Sequence, residues 1–203
     1  MSQNKILRNI GTILVVDNRD SFVYNIVQLL KESGFEIGID VKRCDALELG
    51  HLEDRYAGII LSPGPGLPSE SGLLLGAVAE AAQQRIPLLG ICLGHQAIAE
   101  HFGGHLLQLA HPLHGHASIL HVTDDNDSLL KGADGATVGR YHSWTVDASS
   151  LPAELQTTAI AADDGCLMAV RHRTLPIWGM QFHPESYITN CGMLIMRNWL
   201  SQI

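Results

Sequence analysis

The sequence has little positive charge. Its 203 residues include 13 Lys and Arg against 21 Asp and Glu, which gives a formal net charge of -8. A nucleic-acid-binding domain carries a basic surface, so this balance argues against a polyanionic partner. Charged residues make up 17% and hydrophobic residues 46%, which is typical of a globular protein, and the length favours one domain with one well-developed core.

Cysteine and long apolar runs are also scarce. The four cysteines are far apart and none belongs to a CxxC pair, so we expect a reducing, cytoplasmic location. No apolar run reaches the roughly 18 residues of a membrane span, and residues 1–11 lack the apolar core of a signal peptide. We interpret residues 1–11 as an N-terminal extension and residues 12–203 as a single domain without linkers or repeats.

Apolar runs alternate with helical patterns in the first half of the chain. The runs "TILVVDN", "FEIGIDVKR", "YAGIILSPG" and "IPLLGIC" predict strands. The segments "SFVYNIVQLLKESG", "GLLLGAVAEAAQQR" and "HQAIAEHF" predict helices, the first of them capped by Asp20 or Ser21 and ended by Gly34. Strands that are apolar throughout and alternate with helices indicate an α/β fold, with a mostly parallel central sheet and helices on both faces.

The second half contains shorter β-like runs separated by turn residues. Asp163, Asp164 and Gly165 lie between two of these runs and predict a hairpin. The last pattern, "GMLIMRNWLSQI", predicts a C-terminal helix. We therefore expect a smaller antiparallel β portion in this half of the chain.

Cys92 lies between two glycines in "GICLG", where a predicted strand passes into a predicted helix. One interpretation is a small buried hydrophobic side chain, the commonest role of an isolated cysteine. The other is a nucleophile elbow of the G-x-S-x-G type with a thiol in place of the hydroxyl, because Gly90 and Gly94 remove Cβ atoms that would collide in so sharp a turn. The helix N-terminus would favour the thiolate, at the edge of the sheet where α/β folds bind ligands.

The segment "FHPES" contains a candidate base for such a nucleophile. Pro184 favours an extended backbone at His183. Residues two apart in an extended chain point to the same side, so the Glu185 carboxylate can orient the imidazole of His183. Taken alone, His-x-Glu also fits an ordinary exposed strand end. Combined with Cys92, it indicates a Cys-His-Glu triad.

The loop "SPGPGLP", residues 62–68, is stiff and has little side-chain bulk. It can offer backbone N–H groups to a developing oxyanion, although it also fits a plain strand-ending turn. A phosphate-binding P-loop is excluded in its usual form, because no GxxxxGK[ST] motif follows.

These motifs together resemble the class I (triad) glutamine amidotransferases, which have a flavodoxin-like α/β fold. The resemblance rests on "DNRDSFVYNIVQLL", "LSPGPGLP", "GICLGHQAIAEHFGG", "HG" at residues 114–115, "RYHSWTV" and "GMQFHPES", in the family order over roughly residues 12–200. The first, second and fifth motifs are most similar to the glutaminase subunits of anthranilate synthase and aminodeoxychorismate synthase.

The resemblance implies a role for each matching residue. Cys92 would attack the side-chain amide of glutamine, His183 would act as general base and then as acid, and Glu185 would orient His183. The backbone N–H groups of Gly66 and Leu93 would form the oxyanion hole. The implied glutamine-binding residues are Gly64, Pro65, Gly66, Gln96, Ser143 and Trp144. Without the family, Gln96 fits an exposed helix glutamine equally well.

The resemblance also implies a reaction and a partner. L-glutamine would be hydrolysed through a glutamyl thioester to glutamate and ammonia, and the ammonia would pass to a larger chorismate-binding synthase subunit, component I. The implied product is anthranilate, for tryptophan biosynthesis, or alternatively 4-amino-4-deoxychorismate, for folate biosynthesis, or both. The family needs no cofactor in this subunit, whereas the partner subunit uses Mg²⁺. A length of 203 residues leaves no room for a fused synthase domain, so we expect a separate subunit.

Some residues depart from the family pattern, and other functions fit the motifs less well. Arg19 replaces a usual aromatic residue, His116 and Ala117 replace a common lysine and threonine, and Trp144 replaces a common leucine. His111, His114 and His116 form the best candidate metal cluster, but no other Cys or His pair has matching spacing, so we expect no metal site. A catalytically silent subunit would lack the cysteine or the histidine, and a stand-alone γ-glutamyl hydrolase would not need the chorismate-type motifs.

Overall fold

A computed structural model describes residues 8–203 of the chain. The strands are β1 (Asn9–Asp17), β2 (Glu36–Arg43), β3 (Gly58–Leu61), β4 (Leu88–Ile91), β5 (Leu106–Gln108), β6 (His116–Val122), β7 (Thr137–Arg140), β8 (Trp144–Val146), β9 (Leu155–Ala161), β10 (Leu167–His172) and β11 (Ile177–Met180). The α-helices are α1 (Val23–Glu32), α2 (Leu74–Gln84), α3 (Leu93–His101) and α4 (Gly192–Leu200). Two short 3₁₀ helices span Pro68–Glu70 and Ala148–Ser150.

Nine of the strands form one sheet, in the order β2-β1-β3-β4-β11-β10-β9-β6-β7. The five strands from β2 to β11 pair in parallel, and the next strands pair antiparallel. A separate antiparallel ribbon joins β5 to β8. The predicted α/β fold with a mostly parallel central sheet and a smaller antiparallel portion is confirmed.

The two faces of the sheet bury two different cores. Side chains alternate along β1, so Ile13 and Val15 pack with α1 and α4, while Leu14 and Val16 pack with α2 and α3. All four side chains are fully buried. This double burial explains why the centre of β1 and all of β3 and β4 lack polar side chains, and it confirms that helices cover both faces.

The ends of several elements differ from the sequence predictions. Helix α1 has Phe22 at its N-cap and no capping side chain, so the prediction of a cap by Asp20 or Ser21 is wrong. Gly34, at a φ of 84°, follows the helix as predicted. Strand β1 begins at Asn9, before the expected domain boundary at residue 12. Residues 1–7 of the predicted extension lie outside the described residues.

Two further predictions in the second half are confirmed. Strands β9 and β10 pair antiparallel around the turn that contains Asp163, Asp164 and Gly165, and α4 is the predicted C-terminal helix. Among residues 8–203, none of the helices has the length and apolarity needed to cross a membrane.

Candidate active site

Cys92 occupies a sharp elbow between β4 and α3. It is the N-cap residue of α3, with φ 51° and ψ -99°. A positive φ at a residue with a Cβ costs conformational energy, and such strain collects at functional sites. The backbone N–H of Cys92 donates to the Met180 carbonyl of the neighbouring strand β11 at 2.8 Å. The strained turn is thus held by the sheet, as the elbow interpretation predicts.

The two flanking glycines are required by close backbone contacts. A Cβ on Gly90 would lie 2.5 Å from the carbonyl oxygen of Gly94. A Cβ on Gly94 would lie 2.5 Å from the Leu61 carbonyl oxygen and 2.6 Å from the Leu61 Cβ. The helix α3 therefore packs directly on strand β3, and this close approach fixes the position of the thiol.

We expect Gly94→Ala to lower the free energy of unfolding by about 2 kcal/mol or more, because the added methyl meets backbone atoms that cannot rotate away. Urea unfolding followed by circular dichroism measures this change. Gly76→Ala in α2 is the matched control, since its Cβ would contact only the flexible Leu49 side chain within 4 Å. The control should change stability by less than about 1 kcal/mol, and an equal loss in both variants would contradict the close-packing argument.

His183 and Glu185 form a buried pair beside the elbow. The Nδ1 atom of His183 lies 2.7 Å from Oε1 of Glu185, and the side chains are only 10% and 2% exposed. Glu185 therefore accepts a hydrogen bond from Nδ1–H, which leaves Nε2 as the ring atom that can exchange a proton with a reacting group. Within residues 8–203, Nε2 is buried and makes no hydrogen bond.

The charge environment favours the imidazolium form of His183. Burial disfavours this cation, but the Cys92 sulfur and the Glu185 carboxylate together hold the pKa of His183 well above its ordinary value. The Tyr141 ring also packs against the His183 ring in a T-shaped arrangement, with ring centroids 5.0 Å apart. A buried cation next to the sulfur stabilises the thiolate, which is the reactive form of a cysteine nucleophile.

The backbone around His183 is fixed from two sides. Its N–H donates to the Gly139 carbonyl at 3.0 Å, and its carbonyl accepts from the Thr189 hydroxyl at 2.6 Å. Gly192, the first residue of α4, lies so close to the Pro184 carbonyl that a Cβ there would overlap it. The loop that holds His183 is therefore packed between β7 and the start of α4.

The proposed oxyanion donors lie at the same edge of the sheet. Leu93 is the first residue of α3, where N–H groups have no partner within the helix. The N–H groups of Leu93 and Gly66 do not donate to a backbone oxygen within residues 8–203. Gly64 packs against Leu93, because a Cβ on Gly64 would lie 3.0 Å from the Leu93 Cδ2. The proline-glycine loop and the elbow are thus neighbours.

A cavity of about 860 Å³ opens beside the thiol. Cys92 is only 6% exposed, yet it lines this cavity together with Gly64, Pro65, His183 and Glu185. The structure therefore brings together the three residues of the predicted triad and part of the proline-glycine loop. Gly66, Gln96, Ser143 and Trp144 are not among the residues that line the cavity.

Gln96 is buried behind the thiol and bonded to other protein groups. It is 3% exposed, and its Nε2 donates to the Trp144 carbonyl at 2.8 Å and to Oε1 of Gln181 at 3.1 Å. The carbonyl of Ser143 accepts from the Leu109 N–H at 2.8 Å. In this arrangement Gln96 holds the backbone of Trp144 in place, and its binding to glutamine stays a prediction.

His142 connects this region to a buried arginine. The Nε of fully buried Arg140 lies 3.2 Å from Nε2 of His142, and Nδ1 of His142 lies 2.9 Å from the Trp144 carbonyl oxygen. Arginine can only donate, so Nδ1 of His142 carries its proton and donates to Trp144. Burial, and then the charge of Arg140, lower the pKa of His142 to about 4. Arg140 in turn bonds to Asp164 at 2.8 Å.

Two residues near the thiol were not predicted from the sequence to belong to the site. Gln181 donates from Nε2 to the Cys92 sulfur at 3.5 Å. Its spacing of two residues from His183 in an extended segment was a usable signal, because such residues share a face. Asp20 lines the cavity and has a buried, unpartnered Oδ2 when residues 8–203 are considered. Burial, assisted by the charge of Glu185, raises the pKa of Asp20.

The histidine cluster of the "AHPLHGHAS" segment is exposed. His111, His114 and His116 lie on the surface, and His116 pairs with Asp163 at 3.1 Å. Within the described part of the chain, the one set of side chains with metal-ligand spacing is His51, Glu53 and Asp54, all exposed. Exposed groups of this kind are common without a metal, so neither set is assigned a ligand.

Comparisons with known proteins agree with this geometry. Residues 14–203 match the family model described as "Glutamine amidotransferase class-I". The anthranilate synthase component 2 of Mycobacterium tuberculosis is 45% identical over 193 residues, which cover 93% of this chain and 81% of that protein. The aminodeoxychorismate/anthranilate synthase component 2 of Bacillus subtilis is 40% identical over 190 residues, which cover 93% of this chain and 95% of that protein.

A solved structure is similar over nearly the whole chain. A Thermoplasma acidophilum protein, provisionally described as one component of a GMP synthase, superposes with a TM-score of 0.80 at 29% identity. The superposition covers 95% of this chain and 93% of that one. The fold, the elbow and the family model therefore point to the same class of proteins.

Proposed function

This chain belongs to the class-I glutamine amidotransferase family, and from that premise we propose that it is the glutaminase subunit of a chorismate-using synthase. The observation that carries the proposal is the buried His183–Glu185 pair, 2.7 Å apart, beside a cysteine held on a strained elbow. That arrangement supplies a nucleophile, an acid–base group and its orienting carboxylate.

In the first half-reaction, the Cys92 thiolate attacks the amide carbon of glutamine. The N–H groups of Leu93 and Gly66 stabilise the oxyanion that forms. The imidazolium of His183 then gives its proton to the departing amide nitrogen, which leaves as ammonia, and a glutamyl thioester remains on Cys92. Glu185 keeps the ring in the tautomer that presents Nε2 to the substrate.

In the second half-reaction, water hydrolyses the thioester. His183, now neutral, takes a proton from the water as it attacks the thioester carbon. The second tetrahedral intermediate collapses, glutamate leaves, and the imidazolium–thiolate pair is restored. We infer that this glutaminase chemistry needs no cofactor in this subunit, because side chains and backbone groups of the chain supply each step. The Mg²⁺ expected in the family would belong to the chorismate-binding partner.

We propose that the ammonia passes to component I, the larger chorismate-binding subunit, in the cytoplasm. The Mycobacterium tuberculosis relative is named for anthranilate synthase, and the Bacillus subtilis relative for both anthranilate and aminodeoxychorismate synthesis. These names support anthranilate as the first product to test and 4-amino-4-deoxychorismate as the alternative, with one chain able to serve both.

The test is reconstitution with each candidate component I from the same organism. Glutamate release is measured for the chain alone and with each partner, and the product formed from chorismate and glutamine is identified by mass spectrometry. We expect slow glutamate release from the chain alone and acceleration by the correct partner. Full activity without any partner would contradict the proposal and favour a stand-alone hydrolase.

A further inference from the structure

Gln181 directly follows β11, has no exposed surface and lies next to the Cys92 thiol. Its Nε2 is 3.5 Å from the Cys92 sulfur, and its Oε1 is 3.1 Å from Nε2 of Gln96. Its own backbone N–H donates to the Met168 carbonyl at 2.8 Å, which anchors the residue to the sheet. A buried amide is costly unless its polar atoms are bonded, so the partners of this side chain define its role.

The orientation of the Gln181 amide follows from its neighbours. The Trp144 carbonyl oxygen can only accept, so the Gln96 atom at 2.8 Å from it must be the nitrogen. That nitrogen donates its second N–H to Gln181, so the Gln181 atom facing Gln96 must be the oxygen. The remaining end of the Gln181 amide, which faces the Cys92 sulfur, must then be the NH₂ group.

The hydrogen bonds continue beyond Gln96, away from the thiol. Arg140 donates to Nε2 of His142, and Nδ1–H of His142 donates to the Trp144 carbonyl. The Trp144 carbonyl therefore accepts from both His142 and Gln96, and on the thiol side the donors run from the Gln96 amide through the Gln181 amide to the sulfur. No member of this network can reverse without losing a hydrogen bond, which keeps the Gln181 N–H directed at Cys92.

We propose that Gln181 donates its side-chain N–H to the Cys92 thiolate and so stabilises the resting nucleophile. This inference deepens the proposed function and rests on Cys92 being the nucleophile. A hydrogen bond to a charged acceptor is stronger than one to a neutral acceptor, so the contact favours the thiolate over the thiol. As sulfur becomes a neutral thioester, the contact weakens, and it strengthens again when the thiolate leaves.

Alkylation of Cys92 by iodoacetamide tests the contact directly, because it needs neither glutamine nor a partner. The rate is followed against pH on the full chain by mass spectrometry of the Cys92 peptide, for the parent protein, Gln181→Met and Gln181→Glu. Gln181→Met keeps the length of the side chain and removes the donor. Gln181→Glu keeps the size, shape and the acceptor toward Gln96, and presents a carboxylate oxygen to the sulfur.

We expect the midpoint of the alkylation profile to move to higher pH by about one unit in Gln181→Met, with about a tenfold lower rate at neutral pH. The shift in Gln181→Glu should be at least as large, because a carboxylate repels the thiolate. If Gln181 only filled space, the shift in midpoint would be larger in Gln181→Met than in Gln181→Glu, because glutamate fills the site better than methionine. Gln156→Met, which removes a partly buried glutamine on β9, is the control and should superimpose on the parent profile.

Profiles of both Gln181 variants that superimpose on the parent would overturn the proposal, and so would a shift in Gln181→Met alone. If Gln181→Met does not fold, as judged by circular dichroism, Gln181→Glu carries the test. Failure of the proposed function is read separately, from an absence of glutamate release by the parent complex. In that case the alkylation profiles still decide whether Gln181 donates to the thiolate.

Discussion

Replacing Cys92 with serine is expected to abolish glutamine-dependent synthesis by the reconstituted complex and to leave ammonia-dependent synthesis intact. The loss should be roughly a thousandfold or more, because a hydroxyl does not form the anionic nucleophile that pairs with the His183 imidazolium. Ammonium salts supply the product of the glutaminase directly and bypass the missing step. The measurement is product formation from chorismate with either nitrogen source at saturating concentration.

Cys191→Ser is a matched control for this experiment. Cys191 is 6% exposed, like Cys92, and it is also the N-cap residue of a helix. It is not among the residues that line the cavity, so its replacement should keep glutamine-dependent synthesis. Equal loss of both nitrogen sources in Cys92→Ser would contradict ammonia donation, and retained glutamine use would contradict the nucleophile assignment.

The parallel half of the fold could be predicted because its signals are local. Ile13 to Val16 are fully buried on alternate faces, and a strand buried on both faces must be apolar throughout. The glycines beside Cys92 also predicted the elbow. A Cβ on Gly90 would collide with Gly94, only a few residues away, and a Cβ on Gly94 would collide with Leu61 of the adjacent strand β3. Hydrophobic pattern and turn chemistry were sufficient at these positions.

The contacts that were missed depend on residues distant in the chain. Asp20 was expected to cap α1, but its carboxyl group lies in the cavity near Glu185, which is far away in sequence. Gln96 was expected to return to the thiol because it follows Cys92 by one helical turn. Its amide bonds to Trp144 and Gln181, which lie in two other segments of the chain. Neither arrangement can be derived from local spacing.

The sequence pattern also did not predict that antiparallel strands extend the main sheet. The short runs in the second half predicted strands, but β10, β9, β6 and β7 extend the same sheet as the parallel strands. This continuity matters for the site, because it places β7 against the loop that holds His183. Gly139 of β7 accepts from His183, and Arg140 donates to His142, whose Nδ1–H donates to the Trp144 carbonyl that also accepts from Gln96.

Replacing His183 with asparagine is expected to lower glutamine turnover by roughly a thousandfold or more, since the acid–base group of both half-reactions is removed. The variant also loses the cation next to the Cys92 sulfur, so alkylation of Cys92 by a glutamine-analogue electrophile should slow at neutral pH. Both rates are measured on the same preparation, with circular dichroism to verify the fold. A loss of turnover with unchanged alkylation would contradict the ion pair between the imidazolium and the thiolate.

The control for this variant is His172→Asn. Counted over the whole residue, His172 and His183 are each 8% exposed. His172, however, lies at the end of β10, where its Nδ1 accepts from the N–H groups of Thr174 and Leu175. Asparagine can still accept at that position, and the residue is not part of the cavity beside Cys92. Turnover within about twofold of the parent is expected. An equally large loss in His172→Asn would mean that burial of a histidine, and not proton transfer at Nε2 of His183, underlies the effect.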